Sequence, residues 1–166
     1  IDVRVAQVKE SGCSLLLYKD ARVDMNMNIL DTTIGLGNWQ RRHYECKGNL
    51  FCSVGIKIDS EWVWKDDAGA ESQAEKEKGE ASDSFKRACV NWGIGRELYT
   101  APFIWIPSSE ISIVSKNGKA TTYDKFEVTK IAYTEDRKIS GLAIWRLANK
   151  DKDRKRVFVW QGGTNE

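Results

Sequence analysis

The sequence has few of the residues that form structural zinc sites. It contains a single histidine, His43, and four cysteines, none of which forms a C-x-x-C pair. Structural zinc sites need closely spaced Cys and His ligands, so we expect no zinc site. Cys52 and Cys89 lie on predicted apolar faces, and we expect them to be buried, reduced thiols of a cytosolic protein.

Three further signals are absent. There is no run of about 18 apolar residues, which predicts a protein without a membrane span. No G-x-x-x-x-G-K-[ST] motif occurs, so no nucleotide-binding P-loop is expected. Residues 1–8 mix charged and apolar side chains and do not have the pattern of a signal peptide.

The charge is nearly balanced. The 166 residues include 26 Lys and Arg against 24 Asp and Glu, which gives a net charge of only +2. A histone-like protein is excluded, and any nucleic-acid site requires basic groups segregated onto one surface. Apolar residues make up 41% of the chain, including seven Trp, which indicates a globular chain with a proper core.

The clearest element is a long helix predicted to begin at about residue 73. Ser72 and Glu75 form an S-x-x-E capping box, and Gly93 occupies the position of a left-handed C-terminal cap. One apolar stripe at helical spacing comprises Ala74, Ala81, Phe85, Ala88, Cys89 and Trp92. Such a stripe is typical of a helix that packs on a sheet.

Two cations fall off this stripe. Lys86 and Arg87 lie on the outward half of the helix, as does Val90. The simplest interpretation of the cations is a solvated face, with Asp83 as their i,i+3 and i,i+4 partner.

The region before the helix has β character. Residues 1–18 predict a hairpin, and the pattern Val23, Met27, Leu30 and Ile34 predicts a short helix that Gly35 ends. Residues 39–46, 51–58 and 61–65 then predict three antiparallel strands, with Trp62 and Trp64 on one face. The resulting order is β-β-β-α, and the fold class is α+β.

The character of the chain changes after Pro107. Residues 111–114, 125–133, 138–147 and 156–161 predict strands, and Asn117-Gly118 predicts a hairpin turn. We therefore divide the chain into a core, residues 1–106, and a β-rich extension, residues 107–166, that packs on it.

The segment ASDSFKRACVNWGIGRELYTAP, residues 81–102, resembles the Rad52 family of single-strand annealing proteins, and its bacteriophage branch most closely. The resemblance also runs through ARVDMNMNILDTTIGLGNW, FCSVGIKI and EWVWKDDAGAES, and ends near Ile106. It implies a protein of homologous recombination that anneals complementary single-stranded DNA without ATP, metal or catalytic residues. It also implies a ring-forming homo-oligomer in the cytoplasm of a bacterial host, with other recombination proteins as further partners.

The resemblance also implies site residues. A basic pair in the long helix and an Arg at the start of the first helix contact the DNA backbone in the family, and they match Lys86, Arg87 and Arg22. Phosphate binding needs cations along a path, and the remaining candidates come from that requirement. The full set is Lys86, Arg87, Arg22, Arg96, Lys65 and Arg41. The family's second, outer site leaves Lys76 and Lys78 open as matches.

Two alternatives stay open. Asp59, Glu61, Asp66 and Asp67, with Lys65, suggest a metal-dependent nuclease, although the last two acids are expected just before a helix, where its dipole stabilises them. The second alternative is a scaffold that binds recombination proteins and contacts DNA only weakly.

Overall fold

The computed structural model describes residues 1–19, 23–70, 76–150 and 152–162, and no side chains for residues 23–26 and 76–78. The fold is α+β with antiparallel sheets, as predicted. In chain order the helices and strands are β1 (Asp2–Lys9), β2 (Gly12–Tyr18), α1 (Val23–Ile34), β3 (Trp39–Cys46), β4 (Asn49–Ile58), β5 (Glu61–Ala68), α2 (Lys76–Asn91), β6 (Ile104–Pro107), β7 (Val114–Lys116), β8 (Lys119–Thr121), β9 (Phe126–Tyr133), β10 (Ile139–Arg146) and β11 (Lys155–Gln161).

These elements form two compact units. The helical unit is Asp20–Arg96, and the β unit combines Ile1–Lys19 with Glu97–Glu166. The division differs from the predicted boundary at residue 106, because the N-terminal hairpin shares its sheet with β6. The assignment of 1–106 as an annealing core and 107–166 as an extension stays a prediction about function.

The helical unit contains the sheet β3-β4-β5, joined by two-residue turns. Both turns place their residues at positive φ, Lys47-Gly48 at 53° and 77° and Asp59-Ser60 at 48° and 71°. This is the turn geometry that suits the right-handed twist of a hairpin. The predicted β-β-β-α order is confirmed, as are the hairpin of β1 and β2 and the position of α1.

One buried cluster joins α2 to the central strand. Phe85, Ala88 and Cys89 are fully buried together with Cys52 and Val54 of β4, and Leu30 of α1 completes the cluster. The members of this cluster stand at alternating positions of β4 and at helical spacing in α2. Full burial of one such aromatic or aliphatic side chain contributes about 1.5–3 kcal/mol.

The C-terminal end of α2 is confirmed as predicted. Gly93 has φ +99°. The amide of Ile94 donates to the carbonyl of Cys89 at 3.0 Å, and that of Gly93 donates to Val90 at 2.9 Å. These two bonds form a Schellman motif, which requires a left-handed residue at this position. The predicted start near residue 73 and the Ser72–Glu75 capping box lie outside the described residues.

The end of β5 corrects the sequence prediction. The strand continues to Ala68 instead of ending at Lys65, and Asp66 and Asp67 pair with Ser53 and Cys52 of β4. Two consecutive acids are therefore strand residues on opposite faces, not helix-capping residues. Each acid has its own partners there, which the local pattern of the sequence does not reveal.

The β unit combines the sheets β1-β2-β6 and β11-β10-β9 with the small hairpin β7-β8. Asn117 and Gly118 form the predicted turn, with φ of 51° and 73°. Ile111 and buried residues of both larger sheets share one core; the sheet residues are Val3, Cys13, Leu15, Ile104, Ile106, Phe126, Leu142 and Ile144.

The strand predicted at residues 111–114 is wrong in its bounds, since β7 begins only at Val114, and the strands β6 and β8 were missed. Residues 111–113 are not strand, because the amide of Ser112 donates to the Asp124 carboxylate at 2.7 Å instead of joining a ladder. β6 pairs with β2, a partner about ninety positions away in the chain.

Neither described helix has the length and apolar character needed to cross a bilayer.

The cysteines yield a direct test of this packing. Burial raises the pKa of Cys13 and Cys52 to about 11 and that of Cys89 to about 12, so at neutral pH these thiols stay protonated. Cys46 is exposed. We expect an aromatic disulfide reagent at neutral pH to titrate one thiol quickly in native protein and all four in guanidinium chloride. Cys46→Ser should remove the fast reaction, and fast labelling of that variant would contradict the buried positions.

Candidate nucleic-acid interface

Two of the predicted cations flank the centre of the sheet on the side that contacts α2. Arg41 of β3 and Lys65 of β5 are both paired with Val54 of β4, which is fully buried. Paired residues of neighbouring strands point to the same face. The two cations therefore stand on either side of the core residue that the helix covers.

Arg41 is held by an aromatic ring and not by an acid. Its guanidinium lies 4.8 Å from the centre of the Phe85 ring, which stacks on Trp39 at 6.3 Å. Arg41 is exposed and has no ion pair or hydrogen bond with any residue that the structure describes. A cation–π contact leaves the N–H edge of the guanidinium available for a phosphate oxygen.

Lys65 and Arg96 are bound to the end of α2. The ammonium of Lys65 donates to the Asn91 carbonyl at 2.9 Å and lies 4.4 Å from the Trp92 ring centre. Arg96 donates from Nη2 to the Val90 and Asn91 carbonyls at 3.0 and 3.1 Å. Carbonyls of the last helical turn lack intrahelical donors and carry partial negative charge, so both cations stabilise the helix terminus.

The basic pair of α2 is split between two environments. Arg87 is exposed, and its Nε lies 3.3 Å from an Asp67 carboxylate oxygen of β5. Lys86 is half-buried and has no partner in the described part of the chain. The predicted pairing of both cations with Asp83 is wrong, because that carboxylate accepts the Ala70 amide at 2.9 Å instead. Lys86 is therefore the member of the pair that is free to bind an anion.

One of the six predicted cations, Arg22, lies outside the described residues, and its contact with DNA stays a prediction of the family resemblance. The side chains of Lys76 and Lys78, which the resemblance left open as matches to an outer site, also lie outside the described residues.

Two of the four acids named for a nuclease, Asp66 and Asp67, point to opposite faces of the sheet. Asp66 accepts hydrogen bonds from the hydroxyls of Tyr44, at 2.7 Å, and Ser53, whereas Asp67 faces Arg87 on the other side of the sheet. The bond to Asp66 raises the pKa of Tyr44. Within the described ranges no three His, Cys, Asp or Glu residues are grouped as a metal site. These two acids thus cannot share one metal ion.

The sequence prediction missed the ring contacts on the helix side of the sheet. Trp39 donates through its indole nitrogen to Asp31 at 2.6 Å, and His43 Nε2 lies 3.1 Å from the Ala81 carbonyl. The signal was present in the alternation of β3, which places residues 39, 41 and 43 on one face. That alternation does not reveal which element covers the face.

Residues 37–112 match the family model of the Rad52/22 family double-strand break repair protein. The match covers less than half of the chain, including β3, β4, β5 and α2, and it supports the predicted Rad52 family. Arg22 and α1 lie before it. No curated protein and no solved structure matches the chain.

The contacts of Arg96 predict a role in stability. Arg96→Ala removes the hydrogen bonds that Arg96 donates to the Val90 and Asn91 carbonyls, and we expect the free energy of unfolding to fall by about 0.5–1.5 kcal/mol. Urea unfolding followed by tryptophan fluorescence measures the change, with Arg96→Lys as the charge-conserving control. An unchanged stability combined with weaker oligonucleotide binding would show that Arg96 acts on DNA instead.

Proposed function

We propose that this chain is a single-stranded DNA-binding and annealing protein of homologous recombination, of the bacteriophage-type branch of the Rad52 family, acting in the cytoplasm of a bacterial host. One observation carries the proposal. The segment that matches the family model contains the β-β-β-α elements, and Lys86 and Arg87 lie on the part of α2 that the core does not use.

The contacts support an order among the predicted phosphate-binding residues. We expect Lys86 and Arg41 to contribute most to phosphate binding, since neither has to give up an ion pair or hydrogen bond with a described residue. Arg87 must exchange Asp67 for the phosphate, which lowers its net contribution. Lys65 and Arg96 must leave the carbonyls at the end of α2, so we assign them mainly to stability. Arg22 stays in the set through the family resemblance.

The mechanism requires no covalent chemistry. Two complementary strands repel each other through their phosphates, and cations along the path of the backbone remove that repulsion. A strand held by its backbone leaves its bases free to pair, and stacking of about 1.4 kcal/mol per step drives the reaction. Neither ATP nor a divalent metal takes part in this scheme.

We further propose that subunits assemble head to tail into rings, with the long helix of each packed on its own sheet. β3 and β5 each have one edge without a strand partner among the described residues, and such an edge is a template for pairing. Leu36, in the loop before β3, is 79% exposed, and Val90 of α2 is half-buried. A heterologous contact of this kind closes into a ring or continues as a filament. Other recombination proteins are the remaining class of partner.

The order of the cations leads to a salt-dependence test. We expect Lys86→Ala and Arg41→Ala each to weaken binding of single-stranded oligonucleotides equally for all sequences. Each should reduce the slope of log affinity against log salt by about 0.7 for the phosphate contact it removes. Fluorescence anisotropy over a salt series measures both quantities.

Lys119→Ala is the matched control, because it removes one exposed positive charge outside the matched segment. It should leave the slope unchanged. If Lys86→Ala and Arg41→Ala behave like this control, the phosphate path lies elsewhere.

The energetics lead to a second test. Labelled complementary oligonucleotides are mixed in EDTA without nucleotide, and pairing is followed by energy transfer. We expect the protein to accelerate pairing, with a maximum as protein is titrated, because strands coated by separate assemblies block each other. Acceleration that appears only with ATP would exclude the annealing assignment.

Two other outcomes separate the alternatives. Cleavage of a plasmid on addition of divalent metal would favour the nuclease. Absence of any salt-dependent binding to single strands would favour the scaffold.

A further inference from the structure

The sheet β3-β4-β5 has a second face, which points away from the core of the helical unit. Both helices of that unit bury their apolar residues on the opposite side, with Cys52 and Val54. Because side chains alternate along a strand, the second face carries the residues in between. They include Arg42, Tyr44, Lys57, Trp62, Trp64 and Asp66.

Aromatic rings form most of this face. The ring centres of Trp62 and Trp64 lie 6.0 Å apart, and Tyr44 stacks on Phe51 at 5.5 Å. The Trp64 ring lies directly on the backbone of Gly55, where an added Cβ would be 2.7 Å from the ring. Trp62 and Trp64 are half-buried, so part of each ring remains available to a ligand. Such rings are the surfaces on which single-stranded bases stack.

The charges on this face favour an anionic ligand. The guanidinium of Arg42 lies 4.4 Å from the Trp64 ring centre, and Lys57 of β4 is paired with Trp62 of β5. Both cations are exposed, and neither pairs with an acid in the part of the chain that the structure describes. The carboxylate of Asp66 is occupied by two hydroxyl donors. The face therefore offers two cations without an acidic partner, and stacking surfaces beside them.

We propose that this face binds a single-stranded nucleic acid segment, with bases stacked on Trp62 and on the Arg42–Trp64 pair and with phosphates at Arg42 and Lys57. The inference rests on the proposed function and extends it. The two faces of a sheet point in opposite directions, so a segment on this face is distinct from one held by Lys86 and Arg41. It belongs either to a second strand or to a distant part of the same strand.

A protein partner fits the charges less well. A subunit seated on this face would have to supply acids to Arg42 and Lys57, or leave two cations desolvated without partners. A polyanion with stacking bases satisfies both the cations and the rings.

A two-strand capture assay tests the proposal. Protein is bound to a short immobilised oligonucleotide, and capture of a labelled, non-complementary second strand is measured. We expect Arg42→Ala combined with Lys57→Ala to keep binding of the first strand and to lose capture of the second by about tenfold. The charge-conserving controls, Arg42→Lys with Lys57→Arg, should retain capture. One long strand can also occupy both faces. In that case the strand should saturate wild-type protein, and the Ala variant should release only the segment on the second face.

Stacking is tested separately by photocrosslinking. Oligonucleotides that contain 5-iodouracil should crosslink to the peptide carrying Trp62 and Trp64. Trp62→Leu should weaken capture by about tenfold, the loss of affinity expected when one base no longer stacks on an aromatic ring. Circular dichroism of each variant confirms that it folds. Because the crosslink is read on wild-type protein, it tests the proposal even if a variant fails to fold.

The outcomes separate this inference from the proposed function. Wild-type protein that binds no oligonucleotide at all would remove the proposed function itself. Wild-type protein that anneals strands, with variants that capture normally and no crosslink at residues 61–64, would overturn only this inference. So would variants that lose oligomers by light scattering, since the face would then be a subunit contact.

Discussion

The burial of Phe85, Ala88 and Cys89 beside Cys52 and Val54 is the contact on which the helical unit depends. It places one face of the sheet in the core. Because Arg41 and Lys65 are both paired with Val54, it also places these two cations beside the helix. It also leaves Lys86 and Arg87 off the apolar stripe, since at about 100° per residue these two positions lie outside the arc that Phe85, Ala88 and Cys89 cover. The arrangement of charge follows from this packing of apolar groups.

The end of α2 explains why cations of similar sequence context differ in role. Carbonyls of the last helical turn need donors, and the chain supplies them from Gly93, Ile94, Arg96 and Lys65. A cation used in this way stabilises the protein and is less available to DNA. A cation such as Arg41, which rests on a ring, keeps its hydrogen-bonding edge free. Basic residues in a nucleic-acid site are thus better ranked by their existing partners than by their charge.

A net charge of +2 is compatible with nucleic-acid binding only if the positive groups are concentrated. In the helical unit they are placed on both sides of one sheet, Arg41 and Lys86 with the helix and Arg42 and Lys57 on the opposite face. The proposed annealing function involves two strands, and cations on both faces of one sheet are consistent with the proposal that the sheet holds two nucleic-acid segments.

Local periodicity was enough to determine the elements of the helical unit: the bounds of β3, the alternation of β4, the stripe of α2 and its end at Gly93 all follow from spacing and turn chemistry. The family resemblance likewise rested on residues contiguous in the chain. Only the tertiary structure decided what depends on distant partners. It extended β5 to Ala68, paired β2 with β6, and assigned Asp67 to Arg87 and Asp83 to a backbone amide. The physical reason is that sequence spacing predicts which way a side chain points, whereas its partner is set by how the elements pack.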